Sequence, residues 1–400
     1  MHVHFRDTVV LIAFLSLAGC KSDQGEAVTN SLIQEAKQKF APDRRTVVFD
    51  VDGRLEGQRL ILTGEVHDAT LKGQLMDYLR STTKYEIADS VTVLPEAGLG
   101  EKTFGVVTVS VANVRSKPGH SAEMASQALL GTPLKVLKKQ HGWYYVQTPD
   151  QYLGWLDDGF ELMDRTGYEA WSQCPKVIVT AAYGFTRQSP DIESQVVSDV
   201  VVGDLLGMVG ESRGHYKVQY PDGREGFLPK DHAQPYRLWL AEVRETPENV
   251  IRTARRFFGV PYLWGGTSAK GFDCSGFTKT VYFLNGVLLP RDASQQVMVG
   301  NIVDAGVDMD NLNTGDLLFF GSKATPEQEA RVTHVAIYLG RKKFIHSSGD
   351  VRINSFDPSD PDVSKYRLGT FLHARRIIGA GPDVGIRRLM ELPFYRGNEL

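Results

Sequence analysis

Gly271-Phe272-Asp273-Cys274-Ser275-Gly276-Phe277 joins a turn-prone lead-in to an apolar run that continues to Leu284. The pattern predicts a loop that delivers a cysteine to the first turn of a buried helix. Asp273 suits the position before that helix, because its carboxylate can accept the unpaired N–H groups of the first turn. A cysteine placed there lies near the positive end of the helix dipole, which favours thiolate over thiol. Cys274 is therefore the first candidate nucleophile. Taken alone, it reads better as a small buried hydrophobe.

Two later stretches change that balance. Arg331 to Gly340 alternates like a half-buried strand and carries His334. After a short turn at Arg341-Lys342-Lys343, a second strand-like run from Phe344 to Gly349 carries His346. A hairpin of these strands would bring the two histidines together. Nucleophile, base and an orienter of that base make the generalised triad. Singly, His334 also reads as a satisfied core histidine and His346 as the cap of a strand end.

Six ordered blocks extend the pattern: Tyr262-Leu263-Trp264-Gly265-Gly266, Phe272 to Gly276, Leu289-Pro290-Arg291-Asp292-Ala293-Ser294, Gly315-Asp316-Leu317, Thr333 to Tyr338, and Ile345-His346. Together they resemble the NlpC/P60 cysteine peptidases of bacterial cell walls. The resemblance implies a papain-like α+β domain over residues 245–400. It implies Cys274 as nucleophile, His334 as general base and His346 as its orienter. It also implies that Tyr262 lies in the site, and that Asp273 and Ser275 contact the polar ends of the substrate. Ser294 is a further substrate-side candidate that also reads as a helix cap. The backbone N–H of Cys274 is a natural oxyanion donor. Arg291-Asp292 also reads as a local ion pair.

The chain has 400 residues, enough for three or four domains, and a formal net charge of −3. No long basic run argues for nucleic acid. The three cysteines, Cys20, Cys174 and Cys274, lack the short spacing of a metal or redox motif, and no metal or other cofactor is expected. Cys174 reads as a buried free thiol. Arg6 precedes an apolar run from Val9 to Leu17, too short to span a membrane permanently. It ends in Leu17-Ala18-Gly19-Cys20, which resembles a bacterial lipobox. The resemblance implies a lipoprotein signal peptide over 1–20, lipid attachment at Cys20, and an anchor in a bacterial envelope; separately, the chain is expected to be a monomer.

Residues 21–44 read as a polar tether. Over 45–97, strands at Thr46–Val51 and Arg59–Gly64 around Gly53, a helix from Ala69 to Arg80, and a strand at Ser90–Pro95 resemble a small α+β BON-like module. An internal repeat follows. Gly131–Trp155 aligns without gaps on Gly203–Phe227, and both copies are short β-runs broken by Gly and Pro-Asp turns. They resemble bacterial SH3 (SH3b) domains, two small β-barrels over 104–165 and 174–237.

This order of domains resembles γ-D-glutamyl-L-diamino acid endopeptidases. In that group the first SH3b module supplies a carboxylate and a tyrosine that hold the free amine of an N-terminal L-Ala. The matching residues are Glu123 and Tyr152, with Arg224 replacing the tyrosine in the second repeat. The expected activity is hydrolysis of the γ-D-glutamyl–diamino acid bond of murein peptides. The alternatives are an envelope lipoprotein that only binds the wall, and a hydrolase of intact cross-links.

Overall fold

In the computed structural model, which describes residues 19–381, 383 and 385–397 with side chains from Ala27 onward, the chain divides after Glu96 into two units. The expected signal peptide and the side chain of Cys20 lie outside this description.

The first unit runs α1 (Gly19–Phe40), β1 (Phe49–Glu56), β2 (Arg59–Val66), α2 (Ala69–Thr82) and β3 (Glu86–Val93). β1 and β2 pair antiparallel, and β3 returns parallel to β2. Asp68 caps α2 by accepting the Leu71 N–H, and the helix buries Leu71, Leu75, Met76 and Leu79. Two sequence expectations need correction. Much of the stretch read as a tether is helix, because Ile33 and Ala36, at helical spacing, are buried in the same core. The first hairpin turns at Gly57 rather than Gly53. Gly53 lies inside β1, where an added Cβ would meet Ile33 Cδ1 of α1 at 2.5 Å.

In the second unit, seven short strands between Phe104 and Met163 form one antiparallel sheet, and seven between Lys176 and Pro235 form another in the same spatial order. Pro133–Gln140, Trp143–Gln147 and Leu153–Leu156 of the first reappear 72 residues on, as Leu205–Ser212, His215–Gln219 and Glu225–Pro229. The sequence repeat is thus a structural repeat. Each copy has its own core, with Val114, Val136 and Val146 in the first and Val179, Leu206 and Val218 in the second. The helix Arg165–Gln173 joins them. At its end Cys174 is half-buried rather than buried, its thiol donating to the Trp171 carbonyl at 3.1 Å.

The last domain opens on α3 (Pro247–Arg255), with Pro247 in its first turn and Thr246 as its cap. Then come α4 (Cys274–Phe283) and α5 (Ala293–Gln296). An antiparallel sheet follows: β4 (Asn301–Val303), β5 (Leu317–Ser322), β6 (Arg331–Gly340), β7 (Lys343–Ser348) and β8 (Asp350–Ser355). After α6 (Lys365–Thr370), β9 (Phe371–Arg376) enters between β4 and β5, giving the order β4-β9-β5-β6-β7-β8. α4 packs Phe277, Val281 and Tyr282 into a core shared with Val335 and Ile337 of β6 and with Phe257. The helix is enclosed on several sides, and its buried polar side chains are bonded, Thr278 to the Ser275 carbonyl and to Gln296, and Thr280 to the Thr267 carbonyl.

The first barrel is seated firmly on this domain. Gln127 accepts the Thr267 N–H at 3.0 Å. Lys279 of α4 reaches Asp150 at 2.8 Å, with both side chains nearly closed to solvent. Gly265 has φ +78, and an added Cβ would lie 2.1 Å from the Met124 carbonyl oxygen of the barrel. Only glycine allows that approach. Near the nucleophile loop, Lys270 pairs with Asp199 of the second barrel at 2.6 Å and donates to Ser110 of the first at 2.9 Å.

Candidate active site

Asp273 ends the loop in extended conformation and accepts the Gly276 N–H at 2.7 Å, which starts α4 at Cys274. The same carboxylate accepts the Gly265 N–H and both ends of the Arg291 guanidinium, at 3.1 and 2.5 Å. Arg291 is 1% exposed and also binds Ser275 Oγ and Ser126 Oγ of the first barrel. Its carboxylate partner is therefore Asp273, across 18 residues, and not the neighbouring Asp292. Asp273 and Ser275 are buried in this network, so their side chains hold Arg291 and the helix start. The resemblance had implied contact with substrate.

Cys274 is 7% exposed. The backbone N–H groups of Val335 and Ser275 face its sulfur, which places the thiol against β6 one residue after His334. The favoured thiolate expected from the helix start is not what this environment gives. Burial, and then the adjoining Asp273 carboxylate, push the thiol up to about 11. The two N–H groups oppose this without overcoming it.

β6 and β7 turn through Arg341 and Lys342, both with positive φ, as a two-residue hairpin. Their ladder stops at Ile337–Ile345, and the strands part. His334 and His346 fill the gap, with rings perpendicular and His334 Nε2 2.7 Å from His346 Nδ1. His346 Nε2 lies 2.9 Å from Asn354 Oδ1 of β8, and Asn354 Nδ2 donates to the Asp362 carbonyl at 3.0 Å. A carbonyl only accepts, so the amide nitrogen must face Asp362 and Oδ1 must face His346. His346 then carries its proton on Nε2 and offers Nδ1 to the His334 Nε2–H. That leaves His334 Nδ1 as the bare, basic nitrogen. Burial, and next Arg367, hold His334 well below the ordinary histidine range, and burial brings His346 to about 4. Both rings are neutral near pH 7.

Tyr262 is half-buried near the thiol. Burial, and then negative charge on Cys274, hold its phenol above the usual range, so it stays a donor. From the first barrel, Glu123 accepts the Trp264 indole N–H at 2.8 Å, and the buried Tyr152 hydroxyl meets Asp292 Oδ2 at 3.2 Å. Asp292 also caps α5, so Ser294 is not the cap; it stands exposed in the first turn. Sequence reasoning missed Asn354 and Arg367, which lie outside the motif blocks on elements with no chemistry-bearing pattern. Among the described residues no group of three His, Cys, Asp or Glu side chains could hold a metal ion.

The chain is similar to known proteins. The profile of the NlpC/P60 family matches residues 259–370, and that of a bacterial dipeptidyl-peptidase SH3 domain matches 114–159. The chain is 30% identical over 265 residues to dipeptidyl-peptidase 6 of Lysinibacillus sphaericus, covering 64% of this chain and 93% of that protein. It is 32% identical over 238 residues to the γ-D-glutamyl-L-lysine dipeptidyl-peptidase of Bacillus cereus, covering 56% and 67%. A crystal structure of an NlpC/P60 family protein from Bacillus cereus superposes with a TM-score of 0.58 at 25% identity, covering 68% of this chain and 99% of that one. The chain belongs to the NlpC/P60 family of cysteine peptidases.

Proposed function

We propose that the protein hydrolyses the γ-D-glutamyl–diamino acid bond, to diaminopimelate or lysine, of short murein peptides with a free N-terminal L-Ala. The observation that supports this reading is the series His334–His346–Asn354, which leaves a bare nitrogen on His334, the residue before the Val335 whose N–H faces the sulfur of Cys274 at the start of a buried helix. The bond is suggested by the relatives named γ-D-glutamyl-L-lysine dipeptidyl-peptidases.

In this reading His334 Nδ1 takes the Cys274 proton as the sulfur bonds to the γ-carbonyl carbon. The thiol is held protonated beforehand, so transfer and attack proceed together. The carbonyl oxygen gathers charge and accepts hydrogen bonds from the Cys274 N–H and the Tyr262 hydroxyl. His334 then gives its proton to the departing amine, the C–N bond breaks, and a γ-glutamyl thioester remains. Water, deprotonated by His334, opens the thioester and restores the thiol. Glu123 and Tyr152 hold the substrate amine against the first barrel. The second barrel is also an SH3-like domain, the first unit is a BON-like spacer, and a lipid on Cys20 anchors the chain in a bacterial envelope.

The test is mass analysis of L-Ala-γ-D-Glu-L-diaminopimelate after incubation with the protein. The expected products are L-Ala-D-Glu and free diaminopimelate, absent with a folded Cys274→Ala variant. Equal turnover by that variant would overturn the reading.

A further inference from the structure

Arg367 stands in the first half of α6, half-buried, and no carboxylate pairs with it among the described residues. Its guanidinium lies over the rings of Phe320 at 5.6 Å and Tyr366 at 5.3 Å. Phe320 is in turn 5.8 Å from the His334 ring. The side chain's hydrogen bond is a long one, from Nη2 to Ser348 Oγ at 3.4 Å, two residues beyond His346. The cation thus lies over Phe320 of β5, whose ring adjoins His334, and reaches β7 two residues from His346. Arg291 makes the contrast. It is fully enclosed, and Asp273 and two serine hydroxyls take up its donors.

A guanidinium set over aromatic rings, half-buried and without a carboxylate partner among the described residues, is suited to a carboxylate, which it can bind through two parallel N–H bonds. Its place relative to the nucleophile says which carboxylate. Contacts between the first barrel and the peptidase domain run through Trp264, Thr267, Ser268, Lys279, Arg291 and Asp292. The contacts of Arg367, with Phe320 of β5, Ser348 of β7 and Tyr366 of its own helix, involve none of these residues. A peptide whose amine sits at Glu123 and Tyr152 and whose reacting carbonyl sits at Cys274 continues away from the barrel.

We propose that Arg367 forms an anion subsite on the leaving side of the scissile bond, taking the α-carboxylate of a C-terminal diamino acid. This rests on the peptidase reading above. It adds a second end-selector: the amine is checked at the barrel and the carboxylate at α6, so that tripeptides ending at the diamino acid are preferred over longer stems.

Three peptides test it: L-Ala-γ-D-Glu-L-Lys, the same peptide with a C-terminal carboxamide, and the same peptide with the glutamate α-carboxylate amidated. Both hydrolysis by the intact protein and calorimetric binding to Cys274→Ala are measured. The C-terminal amide should be about ten- to a hundredfold poorer in kcat/KM and in affinity, the loss of one charge-assisted contact. In Arg367→Gln that ratio should fall to about one, and Arg367→Lys should keep part of it. Amidating the glutamate should carry the same penalty with or without Arg367. An unchanged C-terminal ratio in Arg367→Gln, no ratio in the intact protein, a penalty that moves to the glutamate carboxylate, or failure of every peptide to bind would overturn the proposal. Preferential binding without hydrolysis would keep the subsite and overturn the peptidase reading.

Discussion

Cys274 is where sequence and structure part most usefully. Its place at a helix start argues for an ionised thiol, yet enclosure and the Asp273 carboxylate outweigh the dipole, and the thiol is held near 11. Alkylation by iodoacetamide in the free protein should therefore keep rising, about tenfold per pH unit, from pH 8 to 10, because the thiolate fraction grows throughout that range. A plateau by pH 7.5 would show a pre-ionised pair instead. The base answers to a second residue. Asn354 fixes the His346 tautomer, and through it the bare nitrogen of His334. Asn354→Leu should lower kcat roughly a hundredfold with little change in KM. In 15N spectra its His346 should lose the single Nε2–H tautomer that the intact protein shows. Asn354→Asp keeps the acceptor and should restore the tautomer. Its added charge favours imidazolium against the opposing Arg367 and Arg352, reinforcing Asp350, so the acid limb of kcat should move to higher pH. An unaltered tautomer and kcat in Asn354→Leu would reduce Asn354 to a strand residue. Cys274 at a helix start and the His334–His346 contact were legible because each follows from a local pattern. Asn354 was not, because one amide in a polar strand carries no such signal.

At the scale of elements, α4 and the β6–β7 hairpin were legible from an N-cap, an apolar run and a short turn, which the structure narrows from Arg341-Lys342-Lys343 to Arg341-Lys342. The details that failed were long-range. Arg291 read as a neighbour's partner, whereas it closes on Asp273 from the far end of α4, and the first barrel's Ser126 helps to hold it. The pair is buried, so removing the cation leaves a carboxylate without its charge partner. Arg291→Met should cost about 3–5 kcal/mol of stability in urea unfolding, loosening the start of α4 and lowering activity with it. A change below about 1 kcal/mol would mean that the helix cap alone holds Asp273. The N-terminal segment failed for a related reason: α1 has a polar sequence, and its few apolar side chains matter only because the face of β1 at Gly53 is open to receive them.

For the molecule as a whole, the repeat was plain in sequence, but the division of labour between its copies is a matter of contacts. Tyr152 of the first copy turns to Asp292 of the peptidase domain. Arg224, at the same place in the second, stacks on Tyr220 and donates to the Thr108 carbonyl of the first barrel. One position thus serves a contact with the peptidase domain in one copy and a barrel–barrel contact in the other. Glu123 and Tyr152 bring the barrel's polar groups to the peptidase domain, and in the proposed function they select a free amine at the substrate's end. The most direct measurement compares kcat/KM for L-Ala-γ-D-Glu-L-Lys with that for its N-acetyl form, in the intact protein and in Glu123→Gln. A preference for the free amine of about ten- to a hundredfold, the worth of one charge-assisted contact, is expected, and it should collapse in Glu123→Gln. Equal rates on both peptides in the intact protein, together with cleavage of intact murein sacculi, would contradict it.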